Sequence, residues 1–239
     1  MKNVINSEFI KVKHTSYWRQ LHIILPVVGA LLYIAYFAIY STVPALNKEN
    51  FLLELTATVF PLVISIVTGL NSSLEERASH FQCILSSKER ISIWNGKLIF
   101  LILTGLFSIQ LLMITFWLGV KMLAISDISL FFCVSAGFIL FAGNIVIYIW
   151  HLFLSYRFGI GFSLFFGVFE SLQVILYSNI TLAGVFRFIP FSWGIELCHS
   201  FINSDINILN IAIVGLLTGI TLFLTCIWIN CWEGRKKHE

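Results

Sequence analysis

Long apolar stretches alternate with short polar segments along the whole chain. A helix needs about 20 apolar residues to cross the hydrocarbon core of a bilayer, and six stretches of this kind are present. They lie at about 20–41, 51–70, 97–120, 128–152, 158–178 and 208–230. The pattern therefore predicts an all-α integral membrane protein with about six transmembrane helices. The second stretch is the least regular, because Glu54 lies near its start and Pro61 lies inside it.

The first 19 residues have an amphipathic pattern instead. Four apolar residues recur at roughly helical spacing: Met1, Ile5, Phe9 and Val12. Three lysines lie off this stripe: Lys2, Lys11 and Lys13. A helix of this kind lies along the membrane surface, where anionic lipid holds it. We therefore predict an interfacial helix at 1–19, with a basic tail that only sets the topology as the alternative.

The composition supports a membrane protein. Hydrophobic residues make up 58% of the chain and charged residues only 11%, whereas soluble domains carry roughly 25% charged residues. Six spans would place both termini and two of the connecting loops on the same side of the membrane. Twelve of the 15 lysines and arginines lie in these segments. The excess of positive charge in short loops marks the cytoplasmic side, which predicts both ends in the cytoplasm. No basic surface interleaved with aromatic residues is present, so no nucleic-acid partner is expected.

The predicted cytoplasmic loop at 71–96 combines charged and apolar residues. Its charged members are Glu75, Glu76, Arg77, Lys88, Glu89 and Arg90, and its apolar members are Phe81, Ile84 and Leu85. Ser86 followed by Glu89 fits a capping box, which predicts that a helix starts there and continues into the third span. Because a simple connection does not need an apolar cluster, we interpret the loop as a docking element. A helical hairpin packed on the membrane surface is the alternative.

The fifth apolar stretch carries small residues at every fourth position: Gly159, Ser163, Gly167 and Ser171. Such a stripe lets two helices approach closely, either within the chain or between chains. Glu170 lies near the middle of the same stretch, where an ionisable side chain costs a few kcal/mol unless it faces a partner or a polar cavity. It is either a substrate or gating contact or a protonated group that stabilises packing. His151 is expected to have no carboxylate partner.

The predicted outer loop at 179–207 is unusually apolar. Phe188, Pro190 and Trp193 lie at its centre. We expect a partly re-entrant element that either gates the exit of an amphiphilic cargo or covers the helices as a buried lid. The five cysteines form no C-x-x-C pair and are expected to be free thiols.

Catalytic and nucleotide-binding motifs are absent from the sequence. Gly96-Lys97 is followed by Leu98, so the phosphate-binding pattern G-x-x-x-x-G-K-[ST] fails. Neither H-E-x-x-H nor G-x-S-x-G is present. The chain is therefore not expected to be an enzyme, and no metal site is expected.

The combination of a surface helix, six spans, a charged first cytoplasmic loop and an apolar last outer loop resembles the ABC-2 type permeases. More narrowly, the chain is similar to the permease subunits of lantibiotic self-immunity transporters. The resemblance is carried by the segments SEFIKVKHTSYWRQLHIILPV, NSSLEERASHFQCILSSKERISIWNGKL and IPFSWGIE.

The resemblance implies one ABC-2 type transmembrane domain over 1–239, in the bacterial plasma membrane. It implies that this chain binds no cofactor, because ATP is hydrolysed by a separate cytoplasmic ABC ATPase. It implies a second permease subunit, either related or identical, that contacts this chain through the first and fifth spans. Membrane lipid surrounds both subunits. The cargo would be an amphiphilic antimicrobial peptide, expelled to give immunity. The ATPase-coupling residues would be Glu75, Glu76, Arg77, Phe81, Leu85 and Lys88.

Two other functions fit the same pattern of spans. A general ABC-2 exporter of a drug or a lipid would have the same plan. A membrane scaffold without transport activity would have the same spans but no ATPase partner.

Overall fold

The computed structural model describes residues 2–13, 15–40, 45–178, 188–203, 205 and 207–235. Among these residues all regular structure is helical. The helices are α1 (Lys2–Lys13), α2 (Ser16–Arg19), α3 (Leu25–Ile39), α4 (Ala45–Ser79), α5 (Gln82–Leu85), α6 (Arg90–Met122), α7 (Leu130–Gly143), α8 (Ile145–Phe158), α9 (Ile160–Ser178), α10 (Trp193–Ile202) and α11 (Ile208–Cys231). A π-helical turn, Gln20–Ile24, joins α2 to α3, and a short 3-10 turn, Pro190–Ser192, precedes α10.

Several of these helices have the length and apolarity of membrane spans. In the described residues four qualify alone: Ser16–Ile39, Lys48–Ser79, Arg90–Met122 and Ile208–Cys231. The pair α7 and α8 is bent by 43° and adds a fifth span if the two helices cross together. The helix α9 corresponds to the remaining predicted span, with a shorter apolar part at Ile160–Leu176. The chain is therefore built as a helical multi-pass membrane protein, while the count of six and the orientation stay predictions.

The long helix α4 is the centre of the bundle and packs on α9 and α8. Close approach to α9 depends on Gly167, because a Cβ atom there would lie 2.3 Å from the Oγ atom of Ser65. Ser163 is completely buried in the same region. These small residues therefore serve an interface within the chain, and the implied contact between two permeases stays a prediction. Gly159 lies outside α9 and ends α8 with a φ of 100°, in the left-handed region that favours glycine.

The break between α7 and α8 is at Asn144. Its side chain donates a hydrogen bond of 2.8 Å to the carbonyl of Leu140, which satisfies one acceptor where the helical ladder is interrupted. The backbone of α10 fits against this break, because a Cβ atom on Gly143 would lie 2.7 Å from the Cα atom of Gly194. The break therefore makes room for α10.

The helix α10 runs antiparallel to α7 along the bundle. Its first turn meets the α7–α8 break, the Sγ atom of Cys198 lies 4.0 Å from the carbonyl of Ala136, and Phe201 stacks on Phe132 at 5.8 Å. The described part of the predicted outer loop therefore enters the bundle and returns as a half-length helix. Residues 179–187 of that loop lie outside the described residues.

Candidate functional site

A buried polar group joins α8 and α9. The Nδ1 atom of His151 lies 2.9 Å from the Oγ atom of Ser163, and its Nε2 atom lies 2.9 Å from Oε2 of Glu170. The side chains of His151 and Glu170 are 0% and 5% exposed. The expectation that His151 has no carboxylate partner is therefore wrong. The turn at Gly159 lets α9 pack against α8, so that Glu170 reaches His151.

The hydrogen-bond distances fit one arrangement of protons in which every donor has an acceptor. Among the described residues, the Ser163 hydroxyl has no acceptor other than Nδ1 of His151. If the hydroxyl donates there, the ring carries its proton on Nε2 and donates to Glu170. In this arrangement the imidazole is neutral, and the group carries a net negative charge when Glu170 is ionised.

Ser163, His151 and Glu170 resemble the triad of a serine hydrolase, but here the serine is the buried member and the carboxylate is the member that borders open space. In such a triad the serine faces the substrate and the carboxylate lies behind the histidine. Here Ser163 is 0% exposed, whereas Glu170 borders an open cavity. The geometry therefore presents a carboxylate, and no nucleophile, to a bound molecule.

The cavity beside Glu170 has a volume of about 340 Å³. Helices α8, α9 and α11 and the turn before α10 form its wall, with the residues Val146, Ile147, Trp150, Phe166, Phe169, Glu170, Pro190, Phe191 and Thr221. Of the predicted substrate or gating residues, Glu170 and Pro190 line this space. Phe188 is 69% exposed away from it, and Trp193 is buried at the start of α10.

A second cavity of about 380 Å³ runs along α3, α4 and α6. Its wall is almost entirely apolar, and three of its four polar side chains, Tyr33, Thr56 and Ser108, are already hydrogen-bonded. Tyr33 and Thr56 are 3.1 Å apart, and Ser108 lies 2.7 Å from His22. Apolar side chains such as Leu32 are exposed beside it. This groove is thus accessible from the apolar surface of the bundle.

Four charged residues meet at the predicted cytoplasmic end and are called the ionic cluster here: Glu8, Lys11, Glu75 and Lys97. The Nζ atom of Lys97 lies 2.7 Å from Oε1 of Glu8 and 2.5 Å from Oε1 of Glu75. The Nζ atom of Lys11 lies 2.8 Å and 2.5 Å from the same two oxygens. Lys97 is fully buried, and Lys11 is nearly half exposed.

The ionic cluster fixes α1 to the bundle. A Cβ atom on Gly96 would lie 2.6 Å from Cγ1 of Val4, and the rings of Phe9 and Phe100 meet edge to face at 4.8 Å. The predicted surface helix therefore packs on α6 and α4 through Glu8, which the sequence analysis did not single out. The sequence did contain a signal for this role, because Glu8 is an acidic residue among the lysines of an amphipathic helix.

The predicted coupling residues divide into buried and exposed groups. Glu75 belongs to the ionic cluster. The ring of Phe81 is buried, 5.3 Å from Tyr156 and 5.2 Å from Trp232, so it cannot itself touch a partner in this conformation. Leu85 is half-buried. Arg77 and Lys88 are exposed, as are Gln82, Cys83, Ser86 and Glu89.

The predicted capping box at Ser86 is wrong. Its hydroxyl donates a 2.6 Å hydrogen bond back to the carbonyl of Gln82, and the amide of Glu89 donates to the Oγ atom of Ser87 at 3.0 Å. The next helix begins at Arg90. The segment between α5 and α6 is a compact turn, because its hydroxyl groups bond to local backbone instead of capping a helix.

Two arginines join the helix ends that surround this loop. Arg235 lies 2.7 Å from Oε2 of Glu76 and donates to the carbonyl of Ser155 at 2.7 Å, at the end of α8. Arg90 donates to the carbonyl of Trp232 at 2.9 Å and to that of Leu85 at 2.6 Å. A cation at a helix C-terminus satisfies free carbonyls and complements the helix dipole. Loop 80–89 is therefore attached to the segment after α11 through Arg90 and Trp232, and to α8 through the ring contact of Phe81 with Tyr156, while Arg235 joins α4 to α8 beside the loop.

Comparison of the chain with protein-family models, with curated proteins and with solved structures gave no match. Among the described residues no group of three or more His, Cys, Asp or Glu side chains could hold a metal ion. The family resemblance rests on the sequence pattern, and the cofactor, partner and site assignments made from it stay predictions.

Proposed function

We propose that this chain is the permease subunit of an ATP-driven exporter of the ABC-2 type. Its cargo would be an amphiphilic antimicrobial peptide that the exporter removes from the membrane of the producing cell. The observation that carries the proposal is the attachment of loop 80–89 to the end of α8 through the ring contact of Phe81 with Tyr156, and to the segment after α11 through Trp232 and Arg90. A loop that only connected two spans would need no such attachment.

The attachment supports a transfer of motion from a cytoplasmic partner. A force on the exposed side of the loop would act on α4, which directly precedes the loop, and on α8 through the contact of Phe81 with Tyr156. Arg235 joins Glu76 of α4 to the end of α8, so the two helices would respond together. The helix α4 packs on α9, which carries Glu170. Closure of an ATPase dimer against the loop could therefore change the cavity beside Glu170 without a long flexible connection.

The two cavities suit a cargo that is partly apolar. The groove along α3, α4 and α6 would receive the apolar part of a molecule that enters from the bilayer. The cavity beside Glu170 combines aromatic walls with one carboxylate and is bounded by the turn at Pro190. A molecule already dissolved in lipid needs no wide aqueous channel, which agrees with the small number of charges inside the bundle.

The docking assignment is tested by reversing the exposed charges. The chain is expressed with the ATPase encoded beside it and purified gently, as wild type and as the double variant Arg77→Glu, Lys88→Glu. We expect the ATPase to co-purify with the wild type and to be lost from the double variant, because both side chains are exposed on the loop. The matched control is Lys121→Glu, an exposed charge reversal at the opposite end of the bundle.

The outcomes separate the possible functions. Retention of the ATPase by the double variant would refute docking through this face of the loop. A wild-type chain without any ATPase would favour a scaffold. If the ATPase is present, survival of cells challenged with amphiphilic peptides, and with unrelated drugs, distinguishes an immunity transporter from a general exporter.

A further inference from the structure

We propose that the cavity beside Glu170 binds an organic cation, such as an ammonium or guanidinium group carried on an apolar body. The inference deepens the proposed function by naming the group that the cargo presents, and its role in transport rests on that function. Binding itself does not require transport and can be measured on the purified chain. The proposal joins two features of one site: a carboxyl group with a free oxygen, and an aromatic wall that continues into apolar side chains.

The first feature is the carboxyl group of Glu170, which borders the cavity. Its Oε2 atom contacts His151, while in the described part of the chain its Oε1 atom has no hydrogen-bond partner. No lysine or arginine in that part pairs with it. An ionised group in apolar surroundings requires a counter-charge, and the cavity is the space from which one can approach.

The second feature is the aromatic wall. Trp150, Phe166, Phe169 and Phe191 all line the same cavity as the carboxylate. Aromatic faces attract cations through the ring quadrupole, most strongly when the cation is removed from water. An alkyl or aryl body can occupy the remaining apolar wall, at Val146 and Ile147. The walls and the carboxylate therefore favour the same class of ligand.

Other ligand classes fit less well. An anion would meet the carboxylate without a compensating cation from the described residues. A metal ion needs three or four ligands, but both ring nitrogens of His151 are already engaged. Among the described residues that line the cavity, Thr221 is the only other one with a side-chain oxygen. A covalent substrate would need Ser163, which is completely buried.

The test uses the full chain in nanodiscs of uncharged, zwitterionic lipid, so that the bilayer does not itself concentrate cations. Equilibrium binding of radiolabelled decyltrimethylammonium is compared with that of its uncharged carbon isostere, which ends in a tert-butyl group. The two probes have the same shape and differ in charge. We expect the wild type to bind the ammonium at least about tenfold more tightly than the isostere.

Two variants locate the preference. Glu170→Gln should remove the preference for the ammonium, while Asp127→Asn, a fully exposed carboxylate near the end of α6, should leave it unchanged. Trp150→Leu keeps the carboxylate and should weaken ammonium binding several-fold with a smaller effect on the isostere. Size-exclusion profiles and thermal unfolding verify that each variant is folded, and Trp150→Leu decides the case if Glu170→Gln is not.

Equal affinity of the wild type for both probes would overturn the proposal. So would a preference that survives in Glu170→Gln. A cation preference in a chain that binds no ATPase would uphold this inference while rejecting the proposed exporter. The reverse result, an ATPase partner without a cation preference, would reject only the inference.

Discussion

The ionic cluster at the predicted cytoplasmic end provides a quantitative test of how α1 is held. In the described residues it contains two carboxylates, Glu8 and Glu75, and two ammonium groups, Lys11 and Lys97. The charges therefore balance. Lys97 contacts both carboxylates and is completely buried, whereas Lys11 is 44% exposed and can be solvated.

Replacing Lys97 with Met keeps an unbranched side chain of similar length but removes the buried positive charge. Two carboxylates then share one partly hydrated lysine. Removal of one member of a buried ion pair costs about 3–5 kcal/mol, because the remaining charge stays uncompensated. For a chain of 150–250 residues each kcal/mol lowers Tm by about 2–4 °C, so Lys97→Met should lower Tm by about 6–20 °C.

The double variant Lys97→Met, Glu75→Gln distinguishes charge balance from simple packing. It leaves Glu8 and Lys11, a neutral pair 2.8 Å apart. If uncompensated charge causes the loss, the double variant should recover more than half of it, since contacting residues in a network are non-additive by about 0.5–3 kcal/mol. The control is Lys121→Met, which breaks an exposed pair of 3.1 Å worth at most about 1 kcal/mol.

The assay is thermal unfolding of the purified variants in one detergent, followed by intrinsic fluorescence, with limited trypsin digestion at 1–19 as a local probe of α1. We expect Lys97→Met to expose α1 to trypsin at temperatures where the control is resistant. The reasoning is refuted if Lys97→Met is no more destabilised than Lys121→Met, or if the losses of the two single variants at 75 and 97 simply add.

Two further predictions concern orientation and packing. A membrane-impermeant maleimide should label the exposed Cys83 in inside-out vesicles but not in right-side-out ones, with the buried Cys198 unlabelled in both; mass spectrometry locates the label, and the opposite pattern would reverse the predicted topology. Gly167→Val should lower stability by about 1–3 kcal/mol through overpacking, because its Cβ would lie 2.3 Å from the Ser65 hydroxyl oxygen. Gly161→Val, where nothing lies within 4 Å of an added Cβ, measures the effect of the residue type alone in a thermal melt.

The class of protein and the positions of most long helices were determined by the sequence. The apolar length of a segment is a local property, and burial of its backbone polar groups in lipid permits only a helix or a closed barrel. The small residues around Gly167 likewise predicted a close helix contact. Glu170 predicted a polar partner, because a charge at that position is costly wherever the helix packs.

The identity of that partner depended on the tertiary structure. His151 meets Glu170 because of the turn at Gly159 and the rotation of α8 relative to α9. A hydropathy pattern specifies neither the turn nor the rotation. The same reason applies to Glu8, whose partner Lys97 is on α6, and to Phe81, whose ring is buried by residues from α8 and the segment after α11. The sequence determined which side chains required partners, and the relative rotation and register of the packed helices determined which partners they found.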